Sequence, residues 1–159
     1  AISIVGIDDA PIGYYRAKVE QERVVIASRS PWSLVRATQF HDLVAKFAGG
    51  MGFLSFVPRG VPLQPVDVDE VAMHLVDIAA RPPAGRLPDF GGPEVRPFDE
   101  LAAAWRRIRN RRRLVLPLPL FGKAAHFLRR GGLCNSDAKR GRRSFGEWLM
   151  ANAAAEATR

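Results

Sequence analysis

An α/β fold built on a parallel sheet is the architecture this 159-residue sequence predicts, and three features predict it. The chain opens on "AISIVGI", a continuous apolar run of the kind buried on both faces of a parallel sheet. A helical stretch then runs to about Ala27. After Pro31, "WSLVRAT" has the β-branched, alternating character of a second strand. Strand, helix and strand with short joints make a βαβ unit, whose two strands run parallel.

The remaining elements follow in order. Asp8 and Asp9 are placed to cap the first helix and Pro11 suits its first turn. Tyr15, Val19 and Ile26 fall on one side of that helix, and Tyr14, Lys18, Gln21 and Val25 on another. "FHDLVAKF" reads as a short helix, and "AGGMGFLSFVPRG" as a glycine-rich loop or a turn of helix. "PLQPVDV" is a short extended piece. Asp67 and Glu70 have capping-box spacing at the head of "DEVAMHLVDIAAR", whose core stripe is Val71, Leu75 and Ile78. His74 falls with Glu70, Asp77 and Arg81 on the opposite face and reads as solvated. A Pro/Gly-rich connection holds a short strand, "GRLPDFGG". Next comes a helix from about Phe98 with Leu101, Trp105 and Ile108 at core spacing. "RLVLPLPLFG" is extended by its prolines, "KAAHFLRR" is a short helix, and the last helix packs Phe145, Trp148 and Leu149.

Composition narrows the function classes. The length suits one domain with a sizeable core. No apolar run reaches the roughly 18 residues of a membrane span, and no basic segment precedes the first apolar run as in a secretory signal. Cys134 is the single cysteine, so no internal disulfide forms and a reducing cytoplasm fits. No zinc-ligand spacing occurs, and no metal is expected. The net charge of +8 is concentrated in "RRIRNRRR" (106–113) and "KRGRR" (139–143). Without an aromatic RNA-binding signature or a helix-turn-helix, these clusters read as solvated charge. The chain begins at Ala1 inside a strand that needs neighbours on both sides, so we expect it to be a piece of a longer protein.

Tyr14 and Lys18 stand four residues apart on the first helix, and so share a face. The spacing alone is compatible with a catalytic pair or with two ordinary helix residues. Position adds to it: Ser3 lies eleven residues before Tyr14, and in an open parallel sheet ligands bind beyond the carboxyl ends of the strands.

Ser3, then Tyr14-x-x-x-Lys18, then "WSLVRATQFHD" resembles the C-terminal half of short-chain dehydrogenase/reductases. The chain is most similar to the atypical, NmrA-like NAD(P)-binding members. Their later elements resemble "PVDVDEVA" (65–72) and "GGPEVRPFDELA" (91–102), and the similarity runs from Ser3 to about Trp148. The resemblance implies the C-terminal part of a doubly wound Rossmann-like parallel sheet over residues 1–80. A small, mostly helical substrate-side lobe over residues 81–159 would follow it. The N-terminal strands and the glycine-rich phosphate loop would lie outside these residues, since no such loop occurs in the sequence.

By that resemblance, Tyr14 is the general acid/base, Lys18 lowers its pKa and holds the nicotinamide ribose, and Ser3 orients the substrate carbonyl. Ala37, Thr38 and Gln39 contact the nicotinamide, while Phe40 and His41 border the substrate pocket. The cofactor implied is NAD(P), with preference between NAD and NADP unset and binding weak without the upstream loop. Three functions stay open. One is hydride transfer to or from a small carbonyl or alcohol substrate. Another is a non-catalytic, NmrA-like NAD(P)-sensing regulator with a protein partner. The last is a nucleic-acid module resting on charge alone.

Overall fold

Two apolar segments separated by one helix lie side by side, and the rest of the chain is arranged around them. The computed structural model describes residues 1–50, 54–110 and 114–157. In chain order the first half gives β1 (Ile2–Ile4), α1 (Gly13–Ala27), β2 (Ser33–Ala37), α2 (His41–Gly49), β3 (Leu54–Val57), β4 (Pro62–Leu63) and α3 (Val68–Ala79). The second half gives β5 (Gly85–Arg86), β6 (Phe90–Gly91), β7 (Arg96–Pro97), α4 (Phe98–Ile108), β8 (Leu114–Pro117), α5 (Gly122–Arg129), β9 (Lys139–Arg140) and α6 (Phe145–Ala157).

The main sheet runs β1-β2-β6-β9, with β5 also on β2, and every pairing in it is parallel. Ser3 stands opposite Arg36, and Ile2 and Ile4 opposite Val35 and Ala37. Alternation along a strand therefore places Ser3 and Arg36 on one face and the apolar residues on the other. Helix α1 covers the first face. Helix α3 covers the second, where Val71, Leu75 and Ile78 pack on Val35, Ala37 and Phe90. Each buried aliphatic side chain there contributes about 1.5–3 kcal/mol. The sheet thus draws strands from both ends of the sequence.

A second layer lies beside the sheet. Helices α2, α4 and α6 enclose Val44, Ala48, Phe98, Leu101, Phe145, Trp148 and Leu149. A two-stranded parallel ribbon of β3 and β8 borders it, as does an antiparallel pair of β4 and β7. Ser144 and Glu147 close a capping box at the head of α6: Glu147 accepts from the Ser144 N–H at 2.8 Å, and the Glu147 N–H reaches Ser144 Oγ at 3.3 Å.

Several sequence expectations change. Asp8 and Asp9 cap no helix; Ile7–Asp9 forms a 3-10 turn, and α1 starts only at Gly13. Asp67 does cap α3, accepting from the Asp69 N–H at 2.9 Å, but Glu70 does not reach back. It accepts instead from the Arg142 N–H at 2.9 Å, tying α3 to the 140s loop. His74 is half-buried, stacked on Phe90 with ring centroids 4.7 Å apart, because α3 presents that flank to the far half of the sheet. Within the expected loop at 48–60, residues 54–57 form β3, because β8 supplies a partner backbone 60 residues away. Residues 51–53 of that loop and 111–113 of the arginine run lie outside the described residues.

A belt of buried polar groups holds the strand ends together. Gln64 is fully buried; its Nε2 donates to the Gly92 carbonyl at 3.0 Å and its Oε1 accepts from the Asn135 N–H at 2.8 Å. Gly92 must be glycine, since a Cβ there would lie 1.7 Å from the Pro65 carbonyl oxygen. Replacing Gln64 by leucine leaves the buried Gly92 carbonyl and the part-buried Asn135 N–H unpaired. The expected loss is about 2–5 kcal/mol in urea unfolding. A loss under about 1 kcal/mol would show that the belt contributes little net stability.

Candidate functional site

The crevice lies where β1 and β2 end. Gly6, at φ 75°, turns the chain out of β1, and a Cβ on it would meet the Gly132 carbonyl oxygen at 1.7 Å. The end of β1 is therefore pressed against the loop that follows α5. Ala10, Phe127 and Leu133 form a small core there, with Tyr15 and Leu128 packed on it. A cleft of about 510 Å³ opens beside this core between Asp9 and Pro11 on one side and Lys123, His126 and Arg130 on the other.

Helix α1 follows this crevice. Its inward residues are Tyr15, Lys18, Val19, Glu22 and Val25, at the i, i+3, i+4, i+7 steps of one helical face. The inward stripe thus carries a lysine and a glutamate, and Ile26, grouped from sequence with Tyr15 and Val19, is half exposed. Lys18 extends its ammonium toward β1, 3.5 Å from the Ile2 carbonyl oxygen and 2.7 Å from Gln21 Oε1. Ser3, the next residue on β1, is buried, and its hydroxyl has no well-formed hydrogen bond. Tyr14 lies at the flank of the stripe, 64% exposed, edge-to-face with Tyr15 at 5.5 Å between ring centroids. The structure therefore sets Lys18 against the β1 backbone at Ile2, next in sequence to Ser3, and leaves Tyr14 exposed at the flank.

One charge network underlies this arrangement. Arg36 of β2 donates to Glu22 through Nε at 2.8 Å and Nη2 at 2.6 Å, and to Asp8 at 2.8 Å through Nη2 and also through Nη1. Burial alone would raise the pKa of Glu22. The Arg36 hydrogen bonds, helped by the nearby Ser3 hydroxyl, outweigh it and the net shift is downward. Asp8 is lowered chiefly by its hydrogen bond to Arg36. Glu22 was not singled out from sequence, and Asp8 only as a helix cap. The available signal was Arg36 itself, one cation inside an apolar strand, which requires a buried partner.

The segment after β2 is held within the fold. The Ala37 carbonyl accepts from the Val5 N–H at 3.1 Å, and the Thr38 N–H donates to the Phe90 carbonyl at 3.1 Å. Thr38 is buried and its hydroxyl donates to the Gln64 carbonyl at 2.5 Å. Gln39 uses both ends of its amide, Nε2 to the Leu133 carbonyl at 2.8 Å and Oε1 from the Gln64 N–H at 3.0 Å. Phe40 is half-buried and packs on the apolar core under α3. His41 does not face an open pocket: it is 0% exposed, between Phe145 and Trp148, with Nε2 at 3.1 Å from the Arg143 carbonyl. As the first residue of α2, it is turned into the helical layer rather than the crevice. Among the described residues no group of His, Cys, Asp or Glu could hold a metal ion, and no helix is long and apolar enough to cross a membrane.

Two measurements test these contacts. Arg36→Leu strands a buried carboxylate and is expected to cost about 3–5 kcal/mol, while Glu22→Leu with Arg36→Leu costs clearly less. Equal losses would show that packing, not pairing, sets the cost. The second concerns pH. Burial lowers the pKa of His41, so below about 6.5 the unfolded chain binds a proton that the folded chain resists. Stability should fall as pH drops through 6.5 to 5, and His41→Gln should flatten that slope in thermal melts. The lowered carboxyls of Glu22 and Asp8 add a separate loss below about pH 4.5.

No protein-family model matches the chain, and no curated protein matches it. Solved structures do. A nucleoside-diphosphate-sugar epimerase from Staphylococcus aureus is 12% identical with a TM-score of 0.66, over 94% of this chain and 63% of that one. The dTDP-glucose 4,6-dehydratase of Bacillus anthracis, solved with NAD, is 9% identical with a TM-score of 0.67, over 99% and 60%. A dTDP-4-dehydrorhamnose reductase from Clostridium acetobutylicum is 12% identical with a TM-score of 0.65, over 98% and 65%. The chain spans about three fifths of the length of these proteins. At these identities the likeness establishes the fold alone: a Rossmann-like α/β arrangement on a parallel sheet, as in these proteins.

Proposed function

We propose that the chain carries the proton-handling side of an NAD(P)-dependent oxidoreductase acting on a small carbonyl or alcohol, with Ser3, Tyr14 and Lys18 as its working groups. One observation supports this most. The Lys18 ammonium lies on the β1 backbone at Ile2, next in sequence to the buried Ser3, and one helical turn from Tyr14, on a helix that starts at the strand-end crevice.

The residues present fit the nicotinamide end of the cofactor. Among the described residues Lys18 is held only by a long bond to a carbonyl and by exposed Gln21, so its ammonium is available to a ribose hydroxyl. Ser3 has hydrogen-bonding capacity left over. Nothing comparable fits the pyrophosphate among the described residues, since the left-handed Gly6 is filled by the Gly132 carbonyl. When bound, the dinucleotide supplies or accepts the hydride. Tyr14 then holds or gives the proton at the substrate oxygen. Ser3 orients that oxygen, and the cleft beside Asp9 and Arg130 receives the rest of the substrate. Ala37, Thr38 and Gln39 bound the nicotinamide by their backbone and shape, because their side chains are engaged elsewhere or apolar.

A second reading is a dinucleotide-sensing regulator without turnover, of the NmrA-like kind, with a protein partner. The position of Tyr14 favours it: the phenol is exposed and bonds neither Ser3 nor Lys18. Tyr14→Phe in the NADPH-binding form of the protein separates the two. For the oxidoreductase, NADPH consumption with a carbonyl panel should fall by about 10²–10⁴-fold while dinucleotide affinity stays within about twofold. Parental turnover in that variant removes Tyr14 from the mechanism. Tight dinucleotide binding with no turnover in the parent selects the regulator.

A further inference from the structure

At the other end of the sheet, away from the crevice, is a second cleft of about 220 Å³. Three side chains of α3 and its terminal turn, His74, Ile78 and Arg81, follow at four- and three-residue steps and so share a face. Leu87 and Pro88, in the joint between β5 and β6, complete an apolar floor with Ile78. Lys139 reaches over from β9, its Nζ 3.3 Å from His74 Nδ1 and 5.8 Å from the centroid of Phe90. The ammonium can only donate, so His74 meets it as a neutral ring with Nδ1 as acceptor.

Among the described residues no carboxylate lines this cleft. Among the described residues neither Lys139 nor Arg81 has an acid within ion-pair distance. The acid next along the strand, Asp89, is held by Arg86 and Asn135. Asp77 of α3 acts on His74 only through space, alongside Lys139 and Arg81. The result is a small apolar recess with two uncompensated cations at its rim, at a distance from Ser3, Tyr14 and Lys18. Its size lies below the usual range for drug-sized ligands, which limits the occupant to one ring or a short chain.

We propose that this cleft binds a small organic monoanion, with its carboxylate on Lys139 and Arg81 and its apolar body on Ile78, Leu87 and Pro88. The apolar body distinguishes this ligand from a simple inorganic anion, and the charge distinguishes it from a neutral aromatic. The site stands independently of the proposed oxidoreductase chemistry, because it shares no residue with it.

The probe is sodium benzoate, titrated into the ¹⁵N-labelled chain and followed by amide shifts, at constant ionic strength. Benzyl alcohol and inorganic phosphate are titrated in parallel. Saturable shifts centred on His74, Ile78 and Leu87 are expected with benzoate, at affinity at least about tenfold above either comparison. Lys139→Gln, at an exposed position, should weaken benzoate about tenfold. Arg23→Gln on the far face of α1 removes the same charge and should leave affinity within about twofold. The proposal is overturned if benzyl alcohol or phosphate binds as well as benzoate, if Lys139→Gln binds it unchanged, or if Arg23→Gln weakens it equally.

Discussion

Arg36 ties three segments that no apolar contact would hold in register. A guanidinium inside a buried strand must be paired, and its planar fork accepts partners only in certain directions. Here one side meets Glu22 of α1 and the other meets Asp8 in the turn after β1. Apolar packing tolerates a helix that slides or rotates by part of a turn, but a fork bonded to two carboxylates does not. With Glu22 fixed, Lys18 falls one turn earlier against the β1 backbone and Tyr14 one turn earlier again at the rim. The same contact explains why Asp8 is unavailable as a helix cap, and why α1 begins at Gly13 with no side-chain cap at Ile12.

The belt around Gln64 does for the crevice floor what Arg36 does for its wall. Gln39 and Gln64 join loops separated by 94 and 71 residues in sequence, through amides that satisfy backbone groups otherwise orphaned by the ends of short strands. Strands of two residues have few ladder bonds of their own, so side chains replace them. Gly6 and Gly92 permit the close approaches that this requires. The floor is consequently hydrogen-bonded backbone and buried amides, and a ligand meets its shape rather than free polar side chains.

An epimerase, a dehydratase and a reductase share this fold with the chain at about a tenth of positions identical. Such a scaffold carries several chemistries, so the proposed function turns on Ser3, Tyr14 and Lys18 and not on the likeness. The two clefts lie at opposite ends of the same strands. The crevice is bounded by α1 and α5, whereas the Lys139 cleft is bounded by α3 and β9.

The sequence by itself determined the elements whose signals are local. Apolar runs gave the parallel pair β1 and β2. The periodicity of Val71, Leu75 and Ile78 gave the buried face of α3, and that of Leu101 with Phe145, Trp148 and Leu149 gave the helical layer. What only tertiary structure decided depends on partners far away in the chain. Whether residues 54–57 are loop or strand depends on β8, and whether His74 is solvated or stacked depends on Phe90 and Lys139. Whether His41 faces a pocket or a core depends on α6. The Tyr14–Lys18 spacing was legible as a pair on one helix. Their different exposures were not, because the rotation of α1 is set by Glu22 and Arg36, fourteen residues apart in sequence and joined only in the fold.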